Sequence, residues 1–370
     1  MDPPDVIPLW LADQDYPLCP ELKQVLLEAV EEEFTVYASD LEAREAIQGK
    51  LKRYNNLEVP VDQIMLTQGV LPSMWLAMVH ACRPGDEVIV TDPMYFPFFT
   101  AADVAQVRKV YWKLKLEEGY RFDIDRLNEL ITPKTRLITV CNPHNPAGRV
   151  MTKEELKGIA DLAVDHQIYV MVDELWEDIL YDGRKHTSLA SLSPEIGDLT
   201  LTAWGFSKTW SVPGLQAGYL ACTNKTMFES IQSIARGVLR GTNNLGKAMA
   251  PLICSGKIDY WVRELNSYLQ EVRDLVEKRL MEMGDFTIPK LEGTYLMFPR
   301  FNYGLTCDEL DQILMKEAKV RFNKGSAFGP EGEGHMRILT ATSKAIMNEA
   351  LDRMEKAIPV IEERSKYKQG

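Results

Sequence analysis

Between about residues 64 and 223 the chain alternates short apolar runs with stretches of helical spacing, and this alternation limits the fold more than any other feature. The runs begin at Ile64, Asp86, Thr135, Ile168, Leu199 and Ala217. Continuous apolar runs of this length, bounded by turn residues, read as buried strands. Strands that alternate with helices predict an α/β fold with a mostly parallel sheet. In such a sheet, ligands sit beyond the carboxyl ends of the strands.

The residues at those ends carry the chemical information. Leu199–Trp204 runs into Gly205, Ser207 and Lys208, and a turn at Pro213 and Gly214 leads back into Ala217–Cys222. A lysine between two buried strands loses hydration, and burial lowers its pKa toward neutrality. A partly neutral amine at a cleft wall suits Schiff-base chemistry with an aldehyde. Ile168–Trp176 carries Asp173 and Glu174. A carboxylate at a buried strand end is costly unless paired; one use is as counter-ion to a protonated heterocycle nitrogen. Thr135–Val140 leads into Cys141-Asn-Pro-His-Asn-Pro-Ala-Gly-Arg149, where two Asn-Pro pairs force a non-helical turn and fix two amides.

Ile64-Met-Leu-Thr-Gln-Gly-Val-Leu-Pro72 is a strand, a glycine turn and a helix start with Pro72 in its first turn. Free backbone N–H groups there make an anion site suited to phosphate. It lacks the spacing of a nucleotide-binding P-loop, and no G-x-G-x-x-G follows a strand. Tyr95 follows the strand that ends at Asp92 and is placed to offer its ring face to a planar ligand. Phe96, Phe98 and Phe99 are expected to cap the core.

The rest of the chain frames this region. Residues 1–20 read as an extended arm, followed by helices from Pro20 and Leu41. Thr152 and Glu155 form a capping box for the helix that runs to His166. After Thr223 the pattern changes to long helices and short strands, which predicts a smaller α+β domain. Arg337 lies on one of those strands. A length of 370 residues is enough for two domains. The net charge of −12 argues against nucleic acid or an anionic membrane as partner. Six scattered cysteines without a C-x-x-C pair fit reduced thiols and a cytoplasmic setting. No signal peptide or membrane span is apparent, and the five histidines do not cluster at metal-ligand spacing.

These motifs together resemble the fold type I, pyridoxal 5′-phosphate-dependent enzymes of the class I/II aminotransferase group. Asn142-Pro-His-Asn-Pro-Ala-Gly148, Asp173-Glu174 and Ser207-Lys208 carry the resemblance, in order and each at a strand end. It implies a seven-stranded sheet between helices in a large cofactor-binding domain, residues 36–250. Residues 1–35 and 251–370 would form the small domain. It also implies roles. Lys208 would hold the cofactor as a Schiff base and move the Cα proton. Asp173 would keep the pyridine nitrogen protonated. Asn145 would donate to the phenolic oxygen, and Tyr95 would stack on the ring. Gly69, Val70, Ser207 and Leu71 would hold the phosphate. Arg337 would take the substrate α-carboxylate, with Asn145 beside it. Tyr37 is similar in placement to a tyrosine that reaches the partner's phosphate in a homodimer with shared sites.

Two positions depart from the aminotransferase pattern. Gln216 stands where an arginine usually meets the phosphate, and Trp176 stands where a tyrosine often bonds the phenolic oxygen. Gly214-Leu-Gln216, Leu11–Tyr16, Gly69–Pro72 and Met94–Pro97 are similar to the cystathionine β-lyase-like branch. The expected activity is amino transfer between an L-amino acid and a 2-oxo acid. The alternatives are a carbon–sulfur β-lyase and a non-catalytic, cofactor-binding regulatory protein. Trp10, Tyr16, Trp176 and Trp210 are candidates to line an apolar pocket.

Overall fold

A computed structural model describes residues 3–34, 36–239 and 241–369. Its centre is one sheet of seven strands: β1 (Ile64–Gln68), β2 (Glu87–Asp92), β3 (Arg108–Lys113), β4 (Thr135–Cys141), β5 (Tyr169–Asp173), β6 (Thr200–Gly205) and β7 (Ala217–Ala221). Their order is β1-β7-β6-β5-β4-β2-β3. All neighbours are parallel except those of β7, which runs against both β1 and β6. The α/β expectation holds, and the apolar runs of the sequence are the buried strands. Val88, Ile89, Val90, Ile138, Val140, Val170, Met171 and Val172 are essentially inaccessible.

The edge strand β3 was not expected from the sequence. Its residues Arg108, Lys109, Tyr111 and Lys113 are charged or polar, and of its six residues only Trp112 is buried. An edge strand needs an apolar contact on one side only, so it lacks the continuous apolar run of a central strand.

The parallel direction puts the ends of β1, β2, β4, β5 and β6 on one edge of the sheet. The opposed β7 starts at that edge. The tight passage there depends on glycine. A Cβ on Gly218 would sit 2.8 Å from the Gly69 backbone, and Gly69 itself has φ +77°.

Beyond the sheet, a 25-residue helix (Asp259–Met283) leads to a small antiparallel sheet of β8 (Leu296–Met297), β9 (Asn323–Lys324) and β10 (Met336–Leu339). The last helix is Lys344–Gln369. The N-terminal arm joins this part of the chain. Ile7–Pro8 pairs in parallel with Val320–Arg321, and Leu339 N–H donates to Leu9 C=O at 2.9 Å. From there the arm crosses to the edge of the large sheet. Among the described residues no helix is long and apolar enough to cross a membrane.

Candidate active site

Trp10, Leu11, Ala12, Tyr95, Phe96, Asn145, Asp173, Leu175, Trp176, Lys208, Asn323 and Arg337 line one cavity. It lies where the arm, the strand ends and the small sheet meet. Residues far apart in sequence therefore share one wall, as expected for Tyr95, Asn145, Asp173, Trp176, Lys208 and Arg337.

Each is placed by its strand. Asp173 ends β5, paired in register with Cys141 on one side and Ala203 on the other. It is 2% exposed. Its Oδ1 accepts the Leu175 N–H at 3.0 Å. Burial raises its pKa to about 7, helped by the neighbouring Glu174 and opposed by the Leu175 hydrogen bond and by Lys208. Among the described residues no cation forms an ion pair with this carboxylate. A protonated ring nitrogen is what it fits.

Lys208 follows β6. Its Nζ donates to Ala12 C=O at 2.6 Å and lies 5.6 Å from the Trp176 ring centroid. Burial lowers its pKa to about 8, against the raising effect of Asp13. The neutral amine is thus within reach near pH 8, as the sequence predicts. The loop is fixed from the arm, where Gln14 Nε2 donates to the Lys208 and Thr209 carbonyls.

Arg337 is not a surface arginine. It sits on β10 opposite Asn323 and is 3% exposed. Its guanidinium donates to Asn145 Oδ1 at 3.2 Å and to Trp10 C=O at 2.9 Å. Its Nε is buried without a partner. Burial lowers its pKa to about 10. It carries no ion pair among those between described residues. A buried guanidinium held by neutral acceptors and keeping an unused donor fits an incoming carboxylate.

The anion subsite lies beside this cavity. Val70 caps the helix Leu71–Ala81 without a side-chain hydrogen bond. Pro72 has no N–H and Ser73 N–H donates to Val70 C=O at 3.0 Å, so the N–H groups offered to a ligand there are those of Val70 and Leu71. Val70 is close to the lysine loop, with its Cγ2 3.5 Å from the position of a Cβ on Gly205. Gln216 has φ +47°, and its Nε2 donates to Pro213 C=O at 2.9 Å. Its Oε1 lies 3.8 Å from the position of a Cβ on Gly69. Ser207 is half-buried beside Lys208, and Leu71 is half-exposed at the helix start. These residues fit a phosphate held mostly by backbone dipoles. Tyr37 is fully exposed and is not on the cavity wall of its own chain.

Several expectations need correction. Phe98 is fully buried, but Phe96 is 42% exposed and stands at the rim. It caps the helix Pro97–Val104 at the cavity rim, where its ring leans on Tyr95 and the buried Phe328 while part of it stays open. Trp10 and Trp176 line the cavity, but Tyr16 and Trp210 do not. Tyr16 donates to Thr342 C=O at 3.0 Å and packs edge-on to Tyr268, while Trp210 is in a separate core cluster. The sequence reading missed the arm carbonyls of Trp10 and Ala12, together with Leu175 and Asn323. A backbone carbonyl leaves no residue-type signal.

One arrangement escaped the histidine spacing. Glu174, Glu177 and His186 place ligand-capable atoms within 4.8 Å of one another. Lys50 Nζ already bonds to Glu177, and Asn55 Nδ2 donates to the same carboxylate at 2.5 Å. That ammonium supplies positive charge there.

Comparison with known proteins agrees with this geometry. Residues 6–354 match the family "Aminotransferase class I and II". The aromatic-amino-acid aminotransferase 2 of Thermococcus litoralis is 34% identical over 95% of this chain and 92% of its own. The cystathionine beta-lyase PatB of Bacillus subtilis is 30% identical over 96% and 92%. The solved cystalysin of Treponema denticola, which contains pyridoxal 5′-phosphate, superposes with a TM-score of 0.92 at 26% identity, over 97% of this chain and 93% of that one. The chain belongs to the class I and II aminotransferases, pyridoxal 5′-phosphate-dependent enzymes of fold type I. A catalytic protein thus replaces the non-catalytic alternative.

Proposed function

We propose that this enzyme transfers the amino group of an L-amino acid to a 2-oxo acid, with Lys208 as the proton-moving base. One observation carries the reading. A lysine of lowered pKa and, without an ion pair among the described residues, a buried carboxylate and a buried guanidinium share one cavity. Pyridoxal 5′-phosphate, when bound, supplies an aldehyde for the amine and an electron sink for the Cα carbanion.

The chain's own residues do the rest. Lys208 Nζ, in its neutral form near pH 8, would take the proton from the substrate Cα and return it to the carbon that was the cofactor's aldehyde. Asp173 holds a proton on the ring nitrogen. Asn145 and Trp176 would bound the phenolic oxygen, and Tyr95 would cover one ring face and exclude water. Gly69, Val70, Leu71, Ser207 and Gln216 would hold the phosphate. Arg337 would take the α-carboxylate through two parallel hydrogen bonds.

The same reading assigns residues 36–250 to a cofactor-binding domain and the remainder to a small domain. It places Tyr37 at the phosphate of a partner subunit in a cytoplasmic homodimer. Gln216 favours a second reading, β-elimination from a sulfur-bearing amino acid, whereas Trp176 counts against it, since the lyase-like branch usually carries histidine at that position. Both reactions begin with the same proton transfer. Incubating the yellow holoenzyme with L-amino acids, cystathionine included, and no oxo acid separates them. Stoichiometric conversion of the cofactor to its amine form supports transfer. Catalytic release of ammonia with the cofactor unchanged supports elimination. Neither change would remove both.

A further inference from the structure

We propose that the amino acid taken by this site carries an aromatic or long apolar side chain, selected by Trp10, Leu11 and Phe96; this rests on the reaction proposed above. Lys208 and Arg337 are the cationic side chains on the cavity wall. The reaction uses one at the amine and the other at the α-carboxylate. Within one subunit no further lysine, arginine or histidine is among the described lining residues to meet a second carboxylate, and Arg321, off the wall, lies over the Trp10 ring.

The rest of the wall is largely apolar. Leu11 is 54% and Phe96 42% exposed at the mouth of the cavity, so both present apolar surface to an entering ligand. Phe96 is held in a row of rings. Its centroid lies 5.2 Å from Tyr95 and 6.1 Å from Phe328. The Arg337 guanidinium lies 4.8 Å from the Phe328 centroid. Phe328 is fully buried behind Arg337 and off the cavity wall, so the ring surface open to a side chain of an amino acid gripped at Arg337 is that of Tyr95 and Phe96. Trp10 is fixed on both counts. Its carbonyl accepts from Arg337, and the Arg321 guanidinium lies 5.1 Å from its ring. An aromatic side chain gains edge and face contacts there. The carboxylate of aspartate or glutamate would lose water against these rings without a partner.

The test uses the holoenzyme and an excess of 2-oxoglutarate or pyruvate as amino acceptor with L-phenylalanine, L-tryptophan, L-methionine, L-leucine, L-aspartate and L-glutamate, and follows consumption of each. The aromatic and long apolar amino acids are expected to exceed the acidic ones in kcat/KM by about 100-fold. A preference for aspartate or glutamate overturns the inference and leaves amino transfer standing. Consumption of none overturns both. Phe96→Ala is expected to lower kcat/KM for phenylalanine about tenfold, mainly through KM, and to change L-alanine less. Phe96→Arg is expected to raise kcat/KM for aspartate at the expense of phenylalanine. Equal losses for every substrate in Phe96→Ala would mean that Phe96 supports the fold only, and would overturn its assignment.

Discussion

Asp173 and Glu174 are adjacent in the chain and both are buried, yet their surroundings differ. Ser188 Oγ lies 2.8 and 2.6 Å from the two Glu174 oxygens and shares its one O–H between them, and Trp204 Nε1 donates to Glu174 at 2.9 Å. His186 Nε2 lies 3.1 Å from it. Behind it, Lys50, Asn55 and Glu177 close a second set of contacts. Asp173 has one backbone N–H and a distant thiol. Consecutive residues at a strand end turn to opposite faces. One carboxylate is thus completed by the protein, and the other is left for a ligand. A buried charge with a full set of partners fixes the fold; one without them keeps a cost that only binding relieves.

The sharpest way to break this comparison is through the ligand side. Lys208→Ala is expected to lower turnover at least about 1000-fold, while the fold, followed by circular dichroism, is retained. Normal turnover would end the assignment.

The next pair sets the two carboxylates against each other. Asp173→Asn should cost about 100-fold in rate and weaken cofactor retention, yet stabilise the cofactor-free protein against urea by removing a buried charge. Glu174→Ala should do the reverse. Stripping one member from a buried paired network costs about 3 kcal/mol of stability, and turnover per folded molecule should fall far less. Urea melts of both variants, with and without cofactor, check the contrast. Equal behaviour of the two would dissolve it.

The pH dependence sharpens the same point. The folded pKa of Asp173, about 7, lies above that of an unfolded aspartate. The folded cofactor-free protein therefore binds the extra proton between about pH 4 and pH 7. Its Asp173 contribution to stability must fall as pH rises through that window. Asp173→Asn should flatten this slope, and bound cofactor should offset it.

Two smaller effects concern the groups that face the ligand's anionic ends. Arg337→Lys should raise KM for amino acids about tenfold with a lesser change in kcat, because an ammonium cannot reproduce a planar two-point contact. Gln216→Arg, which adds a charged donor near Gly69, should slow cofactor loss by a few-fold. Dialysis against phosphate, followed by residual absorbance, measures it.

Much of this site was legible before folding because its parts are strand ends. The apolar runs fixed where β1, β2 and β4 to β7 lie, and Gly69, Asn145, Asp173 and Lys208 stand directly after such runs. Turn chemistry marked the Asn-Pro segment and the capping box at Thr152, which the structure contains in full. β3 escaped because an edge strand need not be apolar.

What only the tertiary structure decided is which polar group ends without a partner. The sequence shows Asp173 and Glu174 as equivalent carboxylates; the fold brings Ser188, Trp204 and His186 to one and none of them to the other. It likewise turns an exposed arm into two carbonyls that meet Lys208 and Arg337, and moves Phe96 from an expected core to the rim. Local patterning determines elements and their ends, because backbone hydrogen bonding and burial are short-range demands. Pairing across hundreds of residues depends on sheet order and on the path of the arm, and these exist only once the chain has folded.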